Sequence, residues 1–256
     1  MYASFCFYRY LYCMTALYGL IGYPLSHSFS PAYFNNKFVT ENIDGRYDAY
    51  AIPSVEDLKT LLKEHPQLKG LNVTIPYKEQ VLPLLNEIDA AAREIGAVNC
   101  IKIEVGKLIG YNTDHIGFAE SLKPLLQTQH THALILGTGG AAKAVMYALS
   151  QLDIQYKIVS RTGGDMQYAD VDEGIMDKYR LIINTTPLGM YPAIDTAPEI
   201  PYQFIDSSHL LYDLVYNPEE TLFLQKGKQQ GAAIKNGYEM LILQAEASWQ
   251  IWNTNR

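Results

Sequence analysis

A glycine-rich turn between an apolar run and a helix-like pattern is the feature that most constrains the fold of this chain. It lies in HALILGTGGAAKAVMYALSQL, where Gly137, Gly139 and Ala142 fit the pattern G-x-G-x-x-G/A. The first glycine allows a tight turn, the second lets the backbone approach a pyrophosphate, and the small third residue lets the helix pack on the strand. A turn with a purely structural role is the alternative. The position between strand and helix favours a dinucleotide site, with phosphates at the helix N-terminus.

The next apolar run, IQYKIVSR, predicts the strand whose end selects the dinucleotide. Sites for NAD usually carry an acidic residue there, whereas this run ends in Ser160, Arg161 and Thr162. An arginine can pair with a 2′-phosphate, so the sequence predicts NADP, with an exposed strand-end arginine as the alternative. The following segment, GGDMQYADVDEG, has no second basic residue and is short for a helix. One cation instead of two should weaken the preference for NADP over NAD.

Strand-like and helix-like segments alternate along almost the whole chain, which is typical of an α/β architecture with a mostly parallel sheet. Ser30 is the expected N-cap of the first helix, with Pro31 at its first position, and Ser54 caps the second with Asp57 as reciprocal partner. A hairpin is expected to turn at Gly106. The pattern predicts strands at 16–22, 47–53, 69–75, 180–186 and 210–216, and helices at 30–43, 54–65, 77–85 and 238–253.

The same pattern predicts two α/β domains with a cleft between them. One is expected at 14–114 plus 238–256, and a Rossmann-like nucleotide-binding domain is expected at 115–237. Residues 1–13 are expected to be an N-terminal extension from an upstream start codon, because a second methionine comes just before the first predicted strand.

Composition excludes several classes of partner. The formal net charge of −7 argues against nucleic acid and anionic membrane surfaces, which both select a basic face. The six histidines show no spacing typical of metal ligands, so no metal is expected. Cys6, Cys13 and Cys100 form no disulfide-like set, which indicates a reducing cytoplasm.

Three clusters of polar residues lie in loops or at the ends of predicted strands in the first domain: PLSHSFSP, NVTIPYK and NTD. The carboxyl ends of the strands are where ligands bind in an open α/β sheet. Lys78 and Asp114, at two such ends, can form an acid/base pair for the reduction of a ketone. A solvated lysine at a helix start and an aspartate that caps a helix are the alternatives, and Ser28 and Ser30 could be turn and cap residues.

Taken together, these segments resemble the shikimate dehydrogenase family over residues 16–253. The matching segments occur in the family's order and at about its spacing. They are GYPLSHSFSP, NVTIPYK, IGAVNC, GYNTDHIGF, GTGGAAKAV, SRT, NTTPLGM, DLVYNP and NGYEMLILQA.

The resemblance implies reversible, NADPH-dependent reduction of 3-dehydroshikimate to shikimate in aromatic amino acid biosynthesis, by a monomer or homodimer whose first domain binds the substrate. It implies Lys78 as general acid/base and Asp114 as the residue that orients it. The implied substrate contacts are Ser28 and Ser30 to the carboxylate with Tyr216 assisting, and Thr74, Asn99 and Gln244 to ring hydroxyls or the lysine. The implied NADP contacts are Gly137, Thr138, Gly139, Gly140, Ala141, Ser160, Arg161, Thr162 and, near the nicotinamide, Gly237.

The sequence departs from the family pattern at two points that leave rivals open. Ser160 stands where the family often has asparagine, and Cys100 replaces the threonine that usually follows Asn99. A quinate/shikimate dehydrogenase that prefers NAD is the nearest rival. The methylene-tetrahydrofolate dehydrogenases share the two-domain plan but not the serine cluster or NTD. A nucleotide-binding sensor without chemistry should lack a catalytic residue, whereas Lys78 and Asp114 are both present.

Overall fold

A computed structural model describes residues 15–25 and 28–254 of the chain. The expected extension at 1–13 lies outside the described residues, so it stays a prediction. Within the described part of the chain, no helix is both long and apolar enough to cross a membrane.

The first sheet has six strands in the order β2-β1-β3-β5-β6-β4. Three of its five pairings are parallel and two, β3 with β5 and β5 with β6, are antiparallel. The antiparallel pairs follow from the expected hairpin, whose turn is made by Gly106 at a positive φ of 76°. The strands are β1 Ala16–Gly22, β2 Gly45–Ala51, β3 Leu68–Val73, β4 Glu87–Ile88, β5 Cys100–Glu104 and β6 Lys107–Tyr111.

Four helices accompany this sheet, and their bounds correct several of the sequence predictions. The first helix begins at Phe29 with Ser28 as its N-cap, so the assignment of Ser30 as cap is wrong; Ser30 lies in the first turn, where proline is also tolerated. The third helix stops at Gln80 and is followed by a 3₁₀ turn that contains Pro83, so the helix predicted at 77–85 is shorter than expected. The helices are α1 Phe29–Thr40, α2 Leu58–Glu64, α3 Tyr77–Gln80 and α4 Ala90–Ile95.

The second helix begins later than predicted, at Leu58, whereas the predicted reciprocal bond between Ser54 and Asp57 is present. A 3₁₀ turn at Val55–Asp57 precedes α2, and the Ser54 backbone N–H donates to the Asp57 carboxylate at 3.1 Å. Such a reciprocal bond satisfies one of the N–H groups that a helix start leaves unpaired.

The second sheet has five strands, all parallel, in the order β11-β10-β9-β7-β8. The chain leaves β7 toward β8 on one side and returns to β9 on the other, which makes the gap between β7 and β9 a topological switch point. Ligands bind outside the carboxyl ends of the strands at such a point. The elements are β7 His132–Leu136, β8 Gln155–Val159, β9 Leu181–Asn184, β10 Leu210–Asp213 and β11 Ala233–Lys235, with helices α6 Gly140–Gln151, α7 Glu173–Lys178 and α8 Leu222–Gln229.

Both sheets are covered on both faces, and alternate residues of their strands enter opposite cores. Leu17 and Ile21 of β1 face one cluster, whereas Tyr18 and Leu20 face the other. The strands of the second sheet divide in the same way, with Ala133 and Ile135 in one cluster and Leu134 and Leu136 in the other. Parallel strands that are buried on both faces need this continuous apolar composition, so the α/β prediction is confirmed.

Two helices connect the sheets: α5 Asp114–Leu122 and α9 Tyr238–Asn253. They pack so closely that a Cβ added to Gly117 would lie 2.5 Å from the Met240 carbonyl oxygen. The far end of α9 is fixed on the first sheet, where the Trp252 indole N–H donates to the Ile101 carbonyl at 3.0 Å. This arrangement brings the start of α5 and the middle of α9 to the carboxyl ends of the first sheet.

Candidate active site

Lys78 and Asp114 form a close ion pair at the end of the first sheet. The Lys78 ammonium nitrogen lies 2.7 Å from Asp114 Oδ2. Lys78 is in the first turn of α3, and the Val98 N–H donates to its carbonyl at 2.7 Å. Asp114 is the first residue of α5, with Thr113 rather than Asp114 at the N-cap. Their side chains are 25% and 13% exposed, so the pair is largely shielded but still reaches solvent.

Asn99 holds the carboxylate of Asp114, and Gln244 contacts Asn99. The Asn99 amide donates to Asp114 Oδ1 at 2.9 Å, and Gln244 Oε1 lies 3.3 Å from the same nitrogen. The backbone N–H of Thr113 donates to Asn99 Oδ1 at 2.6 Å, which determines the orientation of this amide. The structure therefore brings four predicted residues into one hydrogen-bonded group from four separate segments.

Thr74 and the two serines lie at the end of β1 and at the start of α1. Thr74 follows β3, and its N–H donates to the Ile21 carbonyl at 2.9 Å, which fixes it next to the end of β1. Ser28 makes no capping hydrogen bond with its side chain, although it is the N-cap of α1. Ser30 lies against the Tyr47 hydroxyl, whose pKa is raised by burial and lowered to a smaller extent by that contact.

Tyr216 approaches the same region from the second sheet. It follows β10, and its ring centroid lies 6.4 Å from that of Tyr238. Tyr238 in turn meets the Phe29 ring edge-on at 6.0 Å, at the start of α1. An aromatic row thus links Tyr216 to the helix start that carries Ser28 and Ser30.

The glycine-rich turn has the geometry that the fingerprint requires. Gly137 has a φ of 108°, and a Cβ there would lie 2.9 Å from Thr186 Cγ2, so both conformation and space demand glycine. A Cβ at Gly139 or Gly140 would meet no protein atom within 4 Å. The protein itself leaves this space open, next to the N-terminus of α6, where a pyrophosphate fits. Ala142 is fully buried, as helix-to-strand packing requires.

A cavity of about 760 Å³ opens at the switch point between β7 and β9. Six of the predicted cofactor residues line it: Gly137, Thr138, Gly139, Ser160, Arg161 and Thr162. Gly140 and Ala141 lie in the first turn of α6 and are not among the lining residues. Gly237 is also outside it, between α9 and the end of β10, where a Cβ would lie 2.2 Å from the Leu214 carbonyl oxygen.

The cavity contains a second basic residue that the sequence reasoning missed. Lys226 of α8 lines the same cavity as Arg161, and its ammonium group lies 4.7 Å from the centroid of the Tyr202 ring. The prediction named one cation for the 2′-phosphate, and the cavity wall carries a second. That prediction was drawn from the segment that follows β8, whereas Lys226 comes from a helix 65 positions beyond Arg161. The segment after β8 does contain a helix, the six-residue α7.

A buried carboxylate, Asp213, organises the loops behind this cavity and was also missed. It accepts hydrogen bonds from Asn184 Nδ2 at 2.9 Å, the Val215 N–H at 3.0 Å and the Thr221 hydroxyl at 2.5 Å. Burial raises the pKa of Asp213 to about 6, and these hydrogen bonds oppose part of that rise. Asn184 connects Asp213 to the cavity, because Asn184 Oδ1 accepts a hydrogen bond from the N–H of Thr186, which lines the cavity.

Fold and site together define a class, the two-domain α/β dehydrogenases that bind a dinucleotide at one sheet and carry an acid/base pair at the other. A family model described as the shikimate dehydrogenase substrate binding domain matches residues 20–101. A shikimate dehydrogenase (NADP(+)) of Methanosphaera stadtmanae is 38% identical over 259 residues, which cover 93% of this chain and 91% of that protein. The chain therefore belongs to the shikimate dehydrogenase family.

Solved structures agree with this assignment. The crystal structure of shikimate dehydrogenase from Aquifex aeolicus is 36% identical, with a TM-score of 0.81 over 94% of this chain and 93% of that one. The Thermus thermophilus enzyme in complex with NADP(H) and shikimate is 31% identical, with a TM-score of 0.82 over 93% of each chain.

Proposed function

We propose that this chain catalyses the reversible, NADPH-dependent reduction of 3-dehydroshikimate to shikimate, a step of aromatic amino acid biosynthesis. The observation that carries the proposal is the Lys78–Asp114 pair at 2.7 Å, which is largely buried but still reaches solvent. The nucleotide cavity lies at the second sheet, with Arg161 and Lys226 on its wall. The cytoplasm is the proposed compartment, because the one cysteine in the described part of the chain, Cys100, is buried and reduced.

Lys78 acts as the general acid of the reduction. When NADPH is bound, it supplies the hydride to the carbonyl carbon of the substrate. Lys78 then donates a proton to the oxygen that becomes the new hydroxyl, and it removes that proton in the reverse direction. Asp114 holds the ammonium group in place through its Oδ2, while Asn99 holds the other carboxylate oxygen.

Polar groups around the pair bind the substrate. Ser28 and Ser30 bind the carboxylate at the start of α1. The Ser28 side chain makes no capping hydrogen bond there, and the row of aromatic rings from Tyr216 leads to this point, which supports the role. The amide and hydroxyl groups near the ion pair bind the ring hydroxyls. These groups belong to Thr74, Asn99 and Gln244.

The second sheet binds NADP. The open space at Gly139 and Gly140 fits the pyrophosphate, and Arg161 is the partner of the 2′-phosphate. Ser160, Thr162, Thr138 and the backbone of Gly137 to Ala141 complete the site, with Gly237 near the nicotinamide. The substrate domain comprises residues 14–114 plus 238–256, the NADP domain comprises residues 115–237, and the protein acts as a monomer or homodimer on small molecules.

The deciding experiment is shikimate oxidation by the purified protein, followed at the nicotinamide absorbance with NADP and NAD in parallel and quinate as second substrate. Turnover restricted to shikimate and NADP is the expected result. Comparable rates with quinate or NAD would identify the broader quinate/shikimate activity instead. No turnover with any pair would leave the family assignment standing and overturn the proposed reaction.

A further inference from the structure

Ser248 lies behind the Lys78–Asp114 pair without touching it. It is one turn beyond Gln244 on α9, and it is completely buried. Its hydroxyl oxygen lies 3.0 Å from Asn72 Nδ2, 3.1 Å from the Thr113 hydroxyl and 2.9 Å from the Gln244 carbonyl oxygen. One buried hydroxyl thus joins α9 to β3 and to the residue before α5.

The hydrogens of this cluster can be assigned by counting donors. A serine hydroxyl has one proton, and it goes to the Gln244 carbonyl, which is a stronger acceptor than the Cys100 thiol that also contacts Ser248. The amide of Asn72 donates to Ser248, since its own oxygen accepts from the Tyr47 hydroxyl at 2.8 Å. The Ser248 oxygen is therefore left to accept a proton from the Thr113 hydroxyl.

The direction of the Thr113 hydroxyl proton determines which hydrogen bond Thr113 makes with Asn99. With its proton toward Ser248, the Thr113 oxygen accepts from Asn99 Nδ2 at 2.9 Å. The other proton of that amide is then directed at Asp114 Oδ1, also at 2.9 Å. Both carboxylate oxygens are held, one by Asn99 and one by Lys78, so the carboxylate cannot rotate away from the lysine.

We infer that Ser248 is a positioning residue for the Lys78–Asp114 pair, acting through Thr113 and Asn99. Without the Ser248 oxygen, the Thr113 proton turns to Asn99 Oδ1 at 3.2 Å or to Gln244 Oε1 at 3.4 Å. The Asn99 proton that Thr113 accepted then has only Gln244 Oε1, at the longer distance of 3.3 Å, and the amide holds Asp114 less firmly in its orientation. The inference rests on the proposed function, since it assigns these residues to proton transfer.

The test is a double-mutant cycle with Ser248→Ala and Thr113→Val. Each single variant should lower kcat for shikimate oxidation roughly tenfold, because small misplacements of reacting groups have effects of this order. The double variant should lose no more than either single one, since both remove the same link. Ser121→Ala is the matched control, because Ser121 is another buried helix serine that bonds a hydroxyl, that of Tyr212 at 2.7 Å, in the core of the second sheet.

Two further readouts separate positioning from simple loss of folded protein. With shikimate deuterated at the carbon that gives up the hydride, the isotope effect on kcat should rise in Ser248→Ala and stay unchanged in Ser121→Ala. A smaller folded fraction would not alter an isotope effect. The side-chain amide signals of Asn99 should also shift in the NMR spectrum of Ser248→Ala, whereas those of Asn112, which donates to the Ala97 carbonyl at 3.0 Å, should not.

These readouts also separate the inference from the proposed function. Wild-type kcat and isotope effect in Ser248→Ala, or losses that multiply in the double variant, would overturn the inference. If the wild type does not oxidise shikimate, the proposed function fails. The NMR signals of the Asn99 side-chain amide then decide the inference. It stands if these signals shift in Ser248→Ala and not in Ser121→Ala, and it is overturned if they do not shift in Ser248→Ala.

Discussion

Replacing Asp213 by asparagine should make the stability of the protein less dependent on pH. The carboxyl group is buried at the end of β10, and its pKa is raised from 3.8 to about 6 by burial. The protonated form is therefore favoured in the folded state relative to the unfolded state. The contribution of Asp213 to stability is highest below pH 4 and is lost as the pH rises through 6.

The change in stability can be calculated from the pKa shift of Asp213. A rise from 3.8 to about 6 corresponds to roughly 3 kcal/mol of lost stability at high pH, at about 1.4 kcal/mol per pKa unit. About half of this loss, roughly 1.5 kcal/mol, develops between pH 5 and pH 7.5. Asparagine keeps an oxygen that can accept from Asn184 and Val215, and its amide can donate to the Thr221 hydroxyl, so the variant should fold.

Urea unfolding of both proteins at pH 5 and pH 7.5 measures the effect directly. The free energy of unfolding of Asp213→Asn, relative to wild type, should be higher at pH 7.5 than at pH 5 by roughly 1.5 kcal/mol. Glu56→Gln is the control, because a hydrogen bond from Ser54 lowers the pKa of Glu56 from 4.5, further below this pH range. A relative stability of Asp213→Asn that is the same at both pH values would refute the reasoning.

Three other predictions concern the site and its support. Lys78→Ala should lower turnover by two orders of magnitude or more, as expected for loss of a general acid, while shikimate binding changes little; near-normal turnover would remove Lys78 from the mechanism. Arg161→Ala should raise KM for NADP far more than KM for NAD, and Lys226→Ala should have a smaller effect because its ammonium group is already held over an aromatic ring. Equal effects of Arg161→Ala on both cofactors would show that it does not contact the 2′-phosphate. Gly117→Ala should cost about 1–3 kcal/mol in urea unfolding, because the new Cβ would lie 2.5 Å from the Met240 backbone. Gly174→Ala, whose Cβ would meet nothing closer than 3.6 Å, should be tolerated, and similar losses in both would contradict the packing argument.

Local signals determined much of the fold. The first strand and the last helix were predicted at 16–22 and 238–253, which are the bounds that the structure has. The hairpin turn at Gly106 and the reciprocal bond between Ser54 and Asp57 were equally accessible, since each depends on a few neighbouring residues. The start of α1 could not be predicted in this way, because Ser28 and Ser30 are both residues that cap helices and lie two positions apart.

The candidate site was also recognisable in the sequence, whereas the residues that support it were decided by tertiary structure. Lys78, Asp114 and the glycine-rich turn were found because their residue types and places after strands indicate chemistry. Ser248 gave no such signal, since it meets Asn72 across 176 positions and Thr113 across 135. Lys226 reaches the cavity of Arg161 only because β10 and α8 fold next to β9. Periodicity and spacing report contacts within one element, and only the packing of elements brings such distant side chains together.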